Sequence, residues 1–210
     1  MTVAAQLWEM ANNHAVVVPL TVDQYHHLID MGKVPEGAPV ELLNGCLVQK
    51  NRSSTGDDPM TVGHAHALIV GKLLELNGSL RRLGCHLRSQ QPISLAPINE
   101  PEPDAAIVLG TLDDYRDRHP GPADVLCAIE VADSSLQHDR TTKLGIYAGA
   151  GIPLYIIINL VDRVMEVYSD PAAGLVPRYT TTRTLSPGQA ISLPAAGGKA
   201  IKVAVRRLLP

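Results

Sequence analysis

The sequence predicts an α/β fold in which helices flank a mixed central β-sheet and additional β-hairpins lie beside it. An apolar strand over residues 125–132, a helix over residues 136–151 and a second apolar strand over residues 153–160 follow one another. This order is typical of two parallel strands joined by a right-handed crossover. The dipeptide Asn44-Gly45, between two short apolar runs, indicates a two-residue hairpin turn. Together these features favour a mixed sheet with hairpins added to it.

The N-terminal half is expected to contain a short helix, the hairpin and a longer helical region. Thr21 is a suitable N-cap and Gly32 a suitable stop for the first helix. A polar loop over residues 51–59 follows the hairpin. The second helical region begins near His64, because apolar residues then recur at helical spacing, at Leu68, Ile69, Leu73, Leu76 and Leu80.

The C-terminal half alternates predicted strands with one long helix. Ser134 or Ser135 is expected to cap that helix, and Gly149 or Gly151 to end it. The charged segment over residues 111–124 contains two prolines and is expected to be a loop with a helical turn. The other strand candidates are residues 85–95, 104–110, 163–169 and 179–194.

The composition is that of an ordinary globular protein. Hydrophobic residues make up 45% and charged residues 19% of the chain, and no repeat or low-complexity linker divides it, so we expect one domain over residues 1–210, with residues 1–20 as a peripheral arm. The longest apolar run, residues 153–160, is too short to span a bilayer, and no signal-peptide pattern is present. Three cysteines without metal-like spacing are typical of a reducing compartment. We therefore expect a cytoplasmic protein.

Two carboxylates stand on predicted strands that are built to be buried. Glu130 shares a strand face with Ala128 and Ala132, and Asp104 follows Pro103 at the start of another apolar run. A lone buried carboxylate is costly unless it is paired or bound to a metal ion. The small neighbours of Glu130 leave room for an ion, and two carboxylates from adjacent strands supply the oxygen ligands that Mg²⁺ or Mn²⁺ prefers. The sequence predicts a divalent metal site at Asp104 and Glu130.

Lys143 is open to two interpretations. It follows Asp139 by four residues on one face of the predicted helix, which favours a surface ion pair worth about 0.3–0.5 kcal/mol. The alternative is a lysine that reaches the two carboxylates from the helix after the strand.

The remaining histidines and arginines carry weaker signals. His64 and His66 lie two positions apart on a predicted helix and point about 200° from each other, so at most one of them is expected to face a given site. The pair at residues 26–27 is expected at the surface for the same reason. Arginines within residues 111–124 alternate with aspartates, which favours local pairing over DNA contact. Those within residues 81–88 could line a groove or lie on a solvated helix end.

Several segments together resemble one known family. They are EPEPDAAIV around Asp104, AIEVADSSLQHDRTTKLGIYAGAGIPLYIIIN around Glu130 and, in matching order, PVELLNGCLVQK, a helix opening with His64, QQPISL and RVMEVY. This combination is similar to the Uma-two family of restriction-endonuclease-like proteins, which belongs to the PD-(D/E)XK nuclease superfamily. The resemblance extends over most of the chain and implies a restriction-endonuclease-like fold.

The resemblance also implies catalytic roles for single residues. Asp104 and Glu130 would be the two metal ligands. The lysine that usually lies two residues after the second carboxylate is missing, because Ala132 occupies that position. Lys143, on the following helix, would supply the lysine instead.

Further positions of the family pattern are matched less closely. Glu41 would be the acidic residue of the first hairpin and would orient a water or a second metal ion. His64 is assigned to the catalytic set, and Gln91 lies in a matching segment. The chain departs from the family at Tyr155-Ile156, where Tyr-Trp is common, and at Asn159, where Asp is common. We interpret these departures as packing and turn positions.

The expected function is Mg²⁺- or Mn²⁺-dependent hydrolysis of phosphodiester bonds in DNA by a homodimeric endonuclease, with the apolar edge over residues 163–168 as a pairing surface. Two alternatives stay open: a catalytically quiet nuclease-fold domain that binds a partner or nucleic acid, and a metal-dependent phosphoesterase acting on a small substrate. The net charge of −3 gives no overall attraction to DNA. The complete set of Asp104, Glu130 and Lys143 favours the enzyme.

Overall fold

The computed structural model describes residues 18–35, 37–50 and 63–210, which form a mixed β-sheet flanked by helices and accompanied by two hairpins. The predicted fold class is therefore confirmed. Residues 1–17, which make up most of the expected N-terminal arm, and the polar loop over residues 51–59 lie outside the described residues. In chain order, the elements are α1 (Val22–Asp30), β1 (Val40–Leu43), β2 (Cys46–Gln49), α2 (His64–Leu74), α3 (Asn77–Arg81), β3 (Cys85–Arg88), β4 (Ala105–Leu109), a 3₁₀ turn (Leu112–Tyr115), β5 (Val125–Ala132), α4 (Leu136–His138), a π-helical turn (Asp139–Lys143), α5 (Leu144–Gly149), β6 (Leu154–Asn159), β7 (Val164–Ala172), β8 (Arg178–Leu185), β9 (Ala190–Pro194), a second 3₁₀ turn (Ala196–Gly198), β10 (Ala200–Ala204) and a final 3₁₀ turn (Val205–Leu208).

The six strands from β3 to β8 lie side by side in chain order. The strands β5 and β6 run parallel, joined by the helical crossover as predicted, and the other neighbouring pairs are antiparallel. Strand β5 therefore lies inside the sheet, with β4 on one side and β6 on the other. This position buries Glu130 in the middle of the molecule.

The first hairpin is attached to the segment that leads into β4. Asn44 and Gly45 have φ angles of 51° and 75°, as a two-residue primed turn requires. Leu42 pairs with Glu100 in an antiparallel bridge, and the Gly45 N–H donates to the Ile98 carbonyl (2.8 Å). The hairpin is thereby fixed beside the residues that precede Asp104.

The two faces of β5 pack against different partners, as the alternation of its sequence predicts. Ile129 belongs to the core cluster that contains Ile69 of α2. Ala128 and Ala132, on the opposite face, belong to the cluster that contains Tyr147 of α5. Glu130 lies on this second face, below α5 and its preceding π-helical turn.

Several local expectations differ from the structure. The strand expected over residues 85–95 ends at Arg88, because Gln90 turns the chain with a φ of 52° and Pro92 lacks an N–H to donate. Ser135 does not cap the helix with its side chain; its hydroxyl donates to Oδ2 of Asp139 (2.6 Å).

The apolar segment over residues 163–168 does not form a sheet edge. Residues 164–168 lie in β7, which has β6 and β8 as neighbours, so the edges of the central sheet are β3 and β8. Among the described helices, none is long and apolar enough to cross a membrane.

Candidate active site

Asp104 and Glu130 meet across neighbouring strands. The antiparallel register of β4 and β5 sets Ala105 opposite Ile129. Asp104, just before Ala105, therefore lies close to Glu130, just after Ile129. The Asp104 N–H donates to Oε2 of Glu130 (3.3 Å), and the Val131 N–H donates to Oδ2 of Asp104 (2.8 Å). Each carboxylate is held by the backbone of the other's segment. The two predicted metal ligands therefore lie together.

Lys143 reaches the same point from the crossover. It ends the π-helical turn, a conformation with an extra residue per turn that is frequent at functional sites. Its Nζ donates to Oε1 of Glu130 (2.9 Å) and to Oε1 of Glu41 (3.0 Å). The side chain is buried, so Lys143 is not half of a surface ion pair with Asp139.

Glu41 enters the site from the hairpin. Its Oε1 accepts the Glu102 N–H (2.7 Å) as well as Lys143, and Nζ of Lys50 lies 3.6 Å away. Burial by itself would raise the pKa of Glu41, but Lys143, Lys50 and the backbone N–H outweigh it and lower that pKa below its ordinary value. Glu41 is therefore an ionised partner for the buried ammonium.

The pKa of Glu130 is shifted in the opposite direction to that of Glu41. Its Oε1 accepts the hydroxyl of Tyr147 (2.8 Å) in addition to Lys143. Burial raises the pKa of Glu130 to about 8; Lys143 opposes this rise, and the neighbouring carboxylates, Asp139 first, add to it. Burial would lower the pKa of Lys143, but Glu130 and Glu41 outweigh it and raise that pKa. The site holds more negative charge than one buried ammonium offsets.

The histidine that contacts the carboxylates is His66. Its Nε2 lies 3.0 Å from Oδ2 of Asp104, whereas His64 is exposed at the start of α2 and does not line the site. Helical phase explains the difference, because His66 precedes the buried residues Ile69 and Leu73 by three and seven positions. Burial would raise the pKa of Asp104, but its hydrogen bond with His66 and the charge of His66 outweigh burial and lower it.

The glutamine of the site is also displaced by one residue from the expected one. Gln91 is exposed, and Gln90 lines the cavity. The left-handed backbone of Gln90 allows its N–H to approach the carbonyls of Pro103 (3.2 Å) and Asp104 (3.3 Å). This turn, which the sequence pattern does not predict, places Gln90 beside the acidic pair.

Two further side chains of the site were missed from the sequence. Tyr147 lies four residues after Lys143, a spacing that places both on one helix face and was visible in the sequence. Asp139 is buried and accepts the Ser135 hydroxyl, and burial raises the pKa of Asp139 to about 6. The Tyr155 hydroxyl donates to the Asp139 carbonyl (3.1 Å). Ile156, where the family commonly has Trp, is buried beside Ile129, so this departure is a packing position.

Asn159, the other departure, is a turn position as predicted. Its side-chain oxygen accepts the Asp162 N–H (2.9 Å), and its amide donates to Oε1 of Glu166 (2.8 Å). The predicted local pairing of the loop arginines is also confirmed. Arg118 lies 2.6 Å from Asp124, and Arg116 lies 3.1 Å from Asp113.

The site is an open cavity of about 350 Å³, lined by side chains that include Asp104, Glu130 and Lys143. Six lining residues carry carboxylates, Glu41, Glu102, Asp104, Glu130, Asp133 and Asp139, against the two lysines Lys50 and Lys143. Carboxylate oxygens are the donors preferred by Mg²⁺ and Mn²⁺. Burial raises the pKa of Glu130 even though Lys143 donates to its Oε1, and a divalent cation would add positive charge that favours the ionised carboxylate. The donor chemistry of this wall therefore fits such an ion.

Comparison with known proteins identifies the family. A sequence profile of the Uma2 family, described as "Putative restriction endonuclease", matches residues 22–205, which include every element from α1 to β10. The chain belongs to the Uma2 family. The resemblance carried by the segments around Asp104 and Glu130 is thereby confirmed for nearly the whole Uma2 chain.

A solved structure shares the fold of this Uma2 protein. The crystal structure of a protein from Anabaena variabilis ATCC 29413, described as a putative nuclease belonging to DUF820, matches with a TM-score of 0.62 and 15% sequence identity. The match covers 90% of this chain and 97% of that chain. At this identity the likeness concerns the fold alone. A search of curated proteins gave no match.

Proposed function

We propose that this Uma2 protein is a metal-dependent DNA endonuclease that hydrolyses phosphodiester bonds. The observation that supports this most is the convergence of Asp104, Glu130 and Lys143 on one wall of a cavity. Burying these charges together is costly, and a module that only binds a partner gains nothing from it. The description of the family points to the same chemistry.

Asp104 and Glu130 are the residues that would hold the cation, either Mg²⁺ or Mn²⁺. When bound, such an ion would supply charge neutralisation at the phosphate and a lowered pKa for a coordinated water. Lys143 stabilises, through its Nζ donors, the negative charge that develops on the phosphate oxygens. Glu41 positions Lys143, and Tyr147 fixes Oε1 of Glu130 through its hydroxyl. His66 and the Val131 N–H together hold the carboxylate of Asp104 in one orientation.

Nicking of supercoiled plasmid tests the proposal. The full chain should nick the plasmid with Mg²⁺ or Mn²⁺ and not with a chelator. Glu130→Gln, which preserves side-chain volume, and Lys143→Ala should each lower the rate by at least about 100-fold, as loss of one charge-stabilising group does. Glu75→Gln and Lys202→Ala change groups that do not line the cavity and should leave the rate unchanged. If both site variants nick at the parental rate while folded by circular dichroism, the assigned site is wrong.

A metal-dependent phosphoesterase acting on a small substrate is the second candidate. The cavity volume of about 350 Å³ suits a small ligand, and its excess of carboxylates opposes a polyanion. Hydrolysis of bis(p-nitrophenyl) phosphate without plasmid nicking would favour this candidate. If calorimetry shows the same absence of Mn²⁺ binding for the parent and for Asp104→Ala, the domain is a catalytically quiet nuclease fold.

We also propose that the protein works as a homodimer, because cutting both strands of a duplex calls for two sites. A second copy can add to the central sheet at β8, an edge strand whose residues are mostly exposed, whereas the other edge strand, β3, is buried. Gel filtration with light scattering should give the mass of two chains, and a monomer alone would contradict the proposal.

A further inference from the structure

A second group of metal-ligating side chains lies outside the candidate active site. His26, Glu100 and His119 belong to helix α1, the segment before β4 and the loop before β5, and their ligating atoms lie within 4.8 Å of one another. Nε2 of His26 is 2.7 Å from Oε1 of Glu100. The two imidazole rings meet edge to face, with centroids 6.0 Å apart. The His26 side chain is 43% exposed and His27 is exposed, so both lie at the surface as the sequence predicts, and His26 contacts Glu100 in addition.

One carboxylate oxygen of Glu100 is buried without a hydrogen-bond donor among the described residues. The residue is 3% exposed, and among the described residues its buried Oε2 has no hydrogen-bond donor. Buried carboxylate oxygens in proteins are normally paired, because desolvation without a partner is costly. Glu166 shows the usual case, since its two oxygens accept hydrogen bonds from Arg140, Asn159 and Tyr168. Oε2 of Glu100 is thus available to an ion.

The backbone fixes each of the three ligating residues. The Glu100 N–H donates to the Leu42 carbonyl (2.7 Å). His119 is flanked by Arg118, which is paired with Asp124, and by Pro120, whose carbonyl accepts the Ser94 N–H (2.8 Å). His26 lies on α1, whose first turn is closed by a capping box from Thr21. The cluster is built into the fold.

A cavity of about 370 Å³ opens beside the three side chains, which line it together with Tyr25 and Glu102. Three protein ligands facing an open space match the pattern of zinc sites that keep one position for water or substrate. Imidazole nitrogens suit Zn²⁺ and its d-block neighbours, whereas Mg²⁺ prefers oxygen donors alone.

We propose that His26, His119 and Glu100 bind a divalent transition-metal ion, Zn²⁺ foremost, at a site separate from the carboxylate pair of Asp104 and Glu130. The two donor sets differ in chemistry, so the same ion is not expected to prefer both. The Zn²⁺ site goes beyond the proposed nuclease function and stands even if no nicking is found.

Titration of the untagged, chelator-treated full chain with Zn²⁺ by calorimetry, and with Co²⁺ by visible absorption, tests this site. Asp104→Asn/Glu130→Gln serves as the parent, so that the acidic wall does not contribute. One ion should bind, with Co²⁺ giving ligand-field bands of nitrogen and oxygen coordination. His119→Ala, His26→Ala and the isosteric Glu100→Gln should each weaken binding by at least about tenfold, because even loss of a group behind a metal ligand has that effect.

His27→Ala is the matched control, because His27 is exposed on the same helix, next to His26. It should bind Zn²⁺ and Co²⁺ as the parent does. Affinities unchanged in His26→Ala and His119→Ala, with folding verified by circular dichroism, would overturn the proposal. A crystal soaked in Zn²⁺ should show an anomalous peak between His26, Glu100 and His119, and a peak elsewhere only would equally overturn it.

Discussion

Lys143 connects the stability of the site to its chemistry. Its buried ammonium lies between Glu41 and Glu130, and removal of one partner from a buried ion pair typically costs about 3–5 kcal/mol. That is a large share of the roughly 5–15 kcal/mol by which a domain is stable. Loss of nicking in Lys143→Ala is therefore informative only beside a measurement of folding. Glu130→Gln, which keeps an oxygen for Tyr147, is the cleaner probe of the acidic pair.

Separate substitutions of two histidines should show which one serves the site. His66→Ala removes the contact with Asp104. If Asp104 is a metal ligand as proposed, plasmid nicking should fall by about 10- to 100-fold, the usual effect of losing a group that orients a metal ligand. His64→Ala removes an exposed side chain two residues away and should leave the nicking rate unchanged. The reverse pattern would return the role to His64.

Glu166 should make part of the stability sensitive to acid. Burial would raise its pKa, but hydrogen bonds from Arg140, Tyr168 and Asn159 outweigh burial and lower the pKa below 4.5. Because the folded pKa lies below the unfolded one, this stabilisation is complete above about pH 4.5 and is lost as the pH falls through the folded pKa. Urea unfolding should show a free energy of unfolding that drops as the pH falls below about 4.5, and drops less in Glu166→Gln. An equal drop in both proteins would contradict this assignment.

Among the elements, the first hairpin determines where Glu41 lies. Its turn is expected to tolerate substitution poorly. A Cβ at Gly45 would overlap the side chain and backbone of Pro19, and the φ of 75° is itself unfavourable for alanine. Gly45→Ala should destabilise the protein by about 2–3 kcal/mol, from backbone strain and overlap together.

Gly32→Ala is the control for that substitution, because Gly32 has a φ of 67° but nothing within 4 Å of the added Cβ. It should cost about 1 kcal/mol, from backbone strain alone. Urea unfolding of the three proteins measures both values. Equal losses would show that the contact with Pro19 contributes nothing.

The π-helical turn is the element that periodicity could not reveal. A continuous helical pattern over residues 136–151 places Asp139 and Lys143 on one face, four residues apart. One additional residue in the turn changes this phase, and tertiary contacts such as Arg140 with Glu166 accompany the change. By contrast, β5, β6 and the Asn44-Gly45 turn were predictable, because long apolar runs and a specific turn dipeptide determine them locally.

For the molecule as a whole, the candidate site joins residues that are far apart in sequence. The burial of Glu130 could be predicted from its own strand, since its neighbours are apolar. The meeting of Glu41 with Lys143, 102 positions later, could not, because it depends on how the hairpin packs beside β4. The resemblance to the family pointed to both Glu41 and Lys143 as site residues. It did not point to His66, although the helical spacing of His66 from the apolar residues Ile69 and Leu73 indicates that this side chain faces inward.

On the proposed function, the charge of the whole molecule predicts that DNA binding requires a divalent cation. The chain has a net charge of −3, and carboxylates dominate the cavity, so DNA should bind weakly without divalent ions. Ca²⁺, which also takes oxygen ligands, should strengthen binding of a labelled duplex by at least about tenfold, measured by fluorescence anisotropy at low salt. Asp104→Asn/Glu130→Gln should bind more tightly than the parent without an ion and gain little from Ca²⁺. Asp23→Asn/Asp170→Asn makes the same change in formal charge on exposed residues and should still respond to Ca²⁺. If both double variants behave alike, net charge rather than the acidic cavity controls DNA binding.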